Sequence, residues 1–179
     1  MARVGFMVTE AGPGLRVPAS PECGAKSRLH YLLRHLDVTR GYTRRVAERI
    51  PVDRLDWSPA PGLPSIADKL RYIGARGRWV YVERALGRPP AYPGHGPELC
   101  YGREGILAFL DGLHAESLSL LRSMEDAELD RYVQAPNGAE LPLWRWLQSM
   151  VEEEAQVRGQ VELMLNLAGI PVRELAHIA

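Results

Sequence analysis

From Leu143 onward the chain places Leu147, Met150, Val151, Val157, Val161, Met164, Leu165 and Ala168 on one helical stripe, and Gly169 followed by Pro171 stops it. This stripe constrains the fold more than any other feature, because a long helix with one apolar face needs comparable helices to cover it. Three more segments supply them. One starts at Ser27 and carries Leu29, Leu32, Leu33, Leu36, Val46 and Ile50 up to Pro51, with Gly41 inside it. The next runs from about Ser65, where Asp68 completes a capping-box pattern, to Leu86; its stripe is Ile66, Leu70, Ile73, Val80 and Tyr81. Gly74 and Gly77 leave room there for another backbone, and Gly87, Pro89 and Pro90 end it. The third shows Ile106, Leu107, Leu110, Leu113, Leu120, Leu121 and Met124 on one face.

The connections are unequal. Residues Ala91 to Cys100 form a loop whose length suggests a crossover, and Asn137-Gly138 between short apolar runs predicts a small hairpin. The expected fold is all-α: a four-helix bundle with a long crossover over residues 25–179, preceded by an extended arm over 1–24, where Gly12, Pro13, Gly14, Pro18 and Pro21 break any period.

Composition narrows the function. Of 179 residues 46% are hydrophobic, and 22 basic side chains balance 22 acidic ones, which argues against nucleic-acid or membrane-surface binding by bulk charge. No apolar run is long enough for a bilayer span, and the first residues lack the compact apolar core of a signal peptide. A cytoplasmic location is therefore expected. Cys23 and Cys100 are too few for a disulfide framework and read as idle or structural. Walker, dinucleotide-binding and nucleophile-elbow motifs are absent, as is any histidine pair at metal-ligand spacing.

Candidate site residues come from polar groups on core-facing helix flanks. Glu154 and Arg158 fall within the last stripe one turn apart and read as a buried structural ion pair. Glu153 and Val157 lie on the neighbouring flank and suggest a pocket. Tyr72, Arg76 and Trp79 share a face of the second helix, an aromatic and cationic wall suited to a small anionic or planar ligand. His114 falls on the third stripe, where it reads as a hydrogen-bonded core residue or a further pocket group.

Several of these stretches, taken in order, resemble the DinB superfamily: Leu55, Trp57 and Pro61-Gly62, then residues 63–74, Trp79, Leu86-Gly87, Glu154, Arg158-Gly159-Gln160, and the closing residues 167–171. The resemblance spans roughly 26–171 and implies a four-helix bundle with one long crossover, often a homodimer. It also implies a divalent metal held by three histidines, at positions that here carry Tyr72, Glu153 and Val157. All three histidines are replaced, so no metal is expected. Three readings follow: a DinB-like protein that binds a small molecule or serves structurally, an altered hydrolase or thiol S-transferase that uses Glu153, with His114 beside it, around Ni, Zn or Mn, or an interaction protein whose arm wraps a partner subunit.

Overall fold

A computed structural model describes residues 27–171. The expected arm over 1–24 lies outside the described residues. Helix α1 (Arg28–Arg49) starts where the Ser27 hydroxyl accepts the His30 N–H. A second cap comes from far along the chain, because Asp126 accepts the backbone N–H groups of Arg28 and Leu29, both at 2.9 Å. Helix α2 (Ile66–Arg76) opens in the expected capping box of Ser65 and Asp68. It continues unbroken through a π-helical segment, Gly77–Val82, and a last α-helical turn, Glu83–Ala85. Helix α3 is Gly102–Leu121 and α4 is Leu143–Leu167, with Gly169 at φ 81° closing the latter.

Between α3 and α4 the chain makes a 3-10 turn, Asp126–Asp130, and then the expected hairpin. Its strands β1 (Tyr132–Gln134) and β2 (Glu140–Pro142) are antiparallel, with Val133 opposite Leu141. Gly138 takes φ 84° in the turn, a conformation that costs glycine little.

Helices α1 and α2 each pack on both α3 and α4, and face one another across a diagonal; α3 and α4 do likewise. Around the bundle the order is α1, α4, α2, α3. The long loop between α2 and α3, expected as the crossover, therefore joins neighbours, and the diagonals are crossed by residues 50–65 and 122–142. These two connections can make the longer journey because they carry core of their own: Ile50 and Leu55 in the first, Leu129 and Val133 in the second, all buried. Among the described residues no helix is long and apolar enough to cross a membrane.

The interior is not uniformly apolar. One hydrophobic cluster gathers Leu36, Val82, Leu121, Leu143 and Leu147; the other gathers Val46, Ile66, Leu70, Leu110 and Val161. At mid-height, between them, lie buried Thr39, Arg40 and Thr43 of α1 and Glu154 of α4. The two glycines of α2 mark this level too. A Cβ on Gly74 would sit 2.9 Å from Phe109 Cε1, and one on Gly77 would sit 3.0 Å from Met150 Cε. Gly74→Ala should therefore destabilise the protein by about 1 to 2 kcal/mol in urea unfolding, overpacking outweighing the helix-propensity gain of alanine. Unchanged or raised stability would show that Phe109 yields freely.

Candidate functional site

The mid-height polar layer opens to one side of the bundle, where α2 and α4 face each other. Tyr72 and Glu153 meet there: the tyrosine hydroxyl donates to Glu153 Oε1 at 2.8 Å. Arg76, one turn along α2, donates through Nε to Glu153 Oε2 at 3.1 Å and places its Nη2 3.1 Å from Oε1. The carboxylate thus receives a fork from Arg76 and a third bond from Tyr72. Burial first, and then the hydrogen bond to Glu153, push the Tyr72 hydroxyl up to about 12, so it stays protonated at neutral pH. Burial opposes the charge on Arg76, and the Glu153 carboxylate outweighs it.

Val157 completes the set. It lines, with Tyr72 and Glu153, both an inner pocket of about 10 Å³, room for about one water molecule, and an outer cleft of about 310 Å³. The outer cleft is also walled by Asp68, Lys69, His95 and Gln160. His95 reaches it from the loop between α2 and α3. Buried Arg71 holds that loop, donating to the His95 and Cys100 carbonyls at 3.0 and 3.1 Å while also binding Asp68 at 2.7 Å. Tyr92 and His95 share a hydrogen bond of 2.6 Å, and the His95 ring stands edge-on to Tyr72 at 5.5 Å.

Other expected members lie elsewhere. Trp79 packs against Phe109 of α3, with ring centroids 6.0 Å apart, and Tyr81 takes its place on the pocket wall. The π-helical segment explains the exchange. Residues five apart are about 140° apart around an α-helix but come much closer to one face in a π-helix, whose wider turn carries hydrogen bonds from i to i+5. Arg76 accordingly lies over the Tyr81 ring, 5.8 Å from its centroid. Burial, and then the charge of Glu153, keep the Tyr81 hydroxyl protonated as well.

Glu154 is buried and paired, but not with Arg158. Its partner is Arg40 of α1, which donates Nε and Nη2 to the two carboxylate oxygens at 2.9 and 3.0 Å and Nη1 to the Leu110 carbonyl of α3 at 2.8 Å. Arg158 turns outward, toward Glu162 at 3.6 Å and the Thr39 carbonyl at 3.4 Å. Spacing along one helix offered Arg158 as a partner; the interior offered a better one. Arg40 was missed, although the apolar stripe of α1 breaks between Leu36 and Val46, level with the break in α4. His114 lines neither part of the site. Its Nε2 lies 3.1 Å from Asp37, and burial together with the nearby Arg40 charge lowers its affinity for a proton.

A four-helix bundle whose facing helices project a polar cluster into an otherwise apolar interior belongs to the helical proteins that build their sites between helices. Its particular lineage is shown by the sequence. The chain belongs to the DinB superfamily, whose family model matches residues 35–161. Among solved structures, a DinB-like protein from Bacillus cereus aligns with a TM-score of 0.65 at 15% identity, over 80% of this chain and 94% of its own. A DinB-like protein from Bacillus subtilis gives 0.62 at 17% identity, over 83% and 94%. A conserved protein from Enterococcus faecalis gives 0.57 at 16% identity, over 80% and 98%. These likenesses show the fold. No curated protein matches the chain.

Proposed function

We propose that this protein binds a small polar molecule in the outer cleft between α2 and α4, at a site that works without a divalent ion. The observation that carries this reading is that each carboxylate lining the site is already clasped by an arginine: Glu153 by Arg76, Glu154 by Arg40 and Asp68 by Arg71. A cation entering the pocket would have to displace a guanidinium that already neutralises the charge it needs. Neither remaining donor position helps, since Val157 has no ligating atom and the Tyr72 hydroxyl holds its proton. Residues of this kind do not fit the metal that the family resemblance implies.

They do suit an organic ligand. A cleft of about 310 Å³ lies within the size range of small-molecule sites, and it combines an apolar floor at Val157 and Pro64 with hydrogen-bonding groups on Lys69, Gln156 and Gln160. Two measurements test the reading. Elemental analysis of untagged protein dialysed without chelator should find less than about a tenth of an equivalent of Zn, Ni or Mn, because an intact site retains its ion. Saturation-transfer NMR with a library of polar fragments should give binders that Gln156→Trp, which fills the cleft from its exposed rim, abolishes. A full equivalent of metal would overturn the first half of the proposal. Fragments that bind the blocked variant equally well would overturn the second.

A further inference from the structure

The cleft between the end of the second helix and the hairpin has different chemistry. It measures about 350 Å³ and shares no lining residue with the site between α2 and α4. Arg84, Arg88 and Arg131 line it, and no Asp or Glu does. Two of these arginines are anchored on neutral carbonyls: Arg131 Nη2 donates to Ala85 O at 2.5 Å, and Arg84 Nη1 donates to Gln134 O. A carbonyl fixes a guanidinium in place without cancelling its charge, and leaves its other N–H groups to donate elsewhere. Arg84 is held further by Trp146, whose ring centroid is 5.8 Å from Cζ. Arg88 has one acidic neighbour, Glu83, at 3.8 Å, a carboxylate it shares with Arg78, which is also paired with Glu116 at 2.8 Å; the long contact leaves most of the Arg88 guanidinium, 56% exposed, open to the cleft.

Three positive groups around one cleft repel each other, and an oxyanion placed among them removes the repulsion while accepting forked hydrogen bonds. Beside them Pro89, Pro90 and the largely exposed Tyr132 form an apolar wall. We propose that this cleft binds a phosphate-bearing small molecule, with Arg84, Arg88 and Arg131 on the phosphate and Tyr132 with the two prolines against its organic part. The proposal stands apart from the function assigned to the site between α2 and α4.

Calorimetric titration of the full chain at low ionic strength, with phenyl phosphate and inorganic phosphate as probes, tests it. Phenyl phosphate should bind more tightly than inorganic phosphate, and raised salt should weaken both. Arg88→Gln, an exposed change that leaves the fold intact, should weaken phenyl phosphate about tenfold, the effect of losing one charged hydrogen bond. Arg84→Gln should weaken it at least as much, and Arg103→Gln, outside the cleft, should leave it unchanged. Absence of binding at millimolar probe would overturn the proposal. So would equal losses in the Arg88 and Arg103 variants, which would reduce the effect to general charge attraction.

Discussion

Arg40→Met and Glu154→Leu should each cost about 3 to 5 kcal/mol of folding stability, and the double variant carrying both should recover most of that loss. The reason is the asymmetry of a buried pair. Both side chains are almost wholly enclosed, at 4% and 5% exposure, and they meet 2.9 Å apart. Removing one partner strands the other charge in the interior, whereas removing both leaves an apolar gap that methionine and leucine can fill. Arg40 also adds a hydrogen bond to the Leu110 carbonyl, so the double variant retains a residual cost of about 1 kcal/mol. Arg158→Leu is the control: its contacts with Glu162 at 3.6 Å and with the Thr39 carbonyl at 3.4 Å are long and only partly enclosed, and should together contribute about 1 kcal/mol or less. Urea unfolding followed by circular dichroism measures all four. Additive losses for Arg40 and Glu154 would dismiss the pairing across helices.

Converting Tyr72, Glu153 and Val157 together to histidine should create a site that takes up about one Ni or Zn per chain, provided Arg76 is changed to alanine as well. The three positions line one pocket, so three imidazoles there would converge. Arg76 decides the outcome. In the natural chain its charge is balanced by Glu153; with that carboxylate gone, the guanidinium would stand unpaired beside an incoming dication and repel it. The triple variant that keeps Arg76 should accordingly hold metal much more weakly than the quadruple one. Elemental analysis after dialysis reads both. If the folded quadruple variant takes up neither metal, the correspondence of these three residues with the family's ligand positions fails. If both variants bind equally, Arg76 is not the obstacle.

The two experiments probe one design. At the middle of the bundle the apolar packing is interrupted, and arginines on α1 and α2 balance the carboxylates that α4 directs inward. Both pairs converge on α4, so sliding that helix by a turn would part them together.

The amino-acid sequence by itself determined the four helices, the capping box at Ser65, the stop at Gly169, the hairpin at Asn137-Gly138, and the placing of Tyr72 with Arg76 on one helix face and Glu153 with Val157 on another, without showing that the two faces meet. Each of these rests on spacing within one segment, where periodicity is set by the backbone alone. Only the tertiary structure decided that Glu154 pairs with Arg40, that residues 50–65 and 122–142 cross the diagonals, and that a π-helical segment brings Tyr81 to the pocket in place of Trp79. The first two depend on which helices become neighbours, and the third on a local change of hydrogen-bond register that side-chain periodicity does not report. A buried charge takes the best partner among every neighbouring helix, and the identity of those neighbours is a property of the packed bundle. Local spacing could name Glu154 as a charge in need of a partner; it could not see 114 residues back to the arginine that answers it.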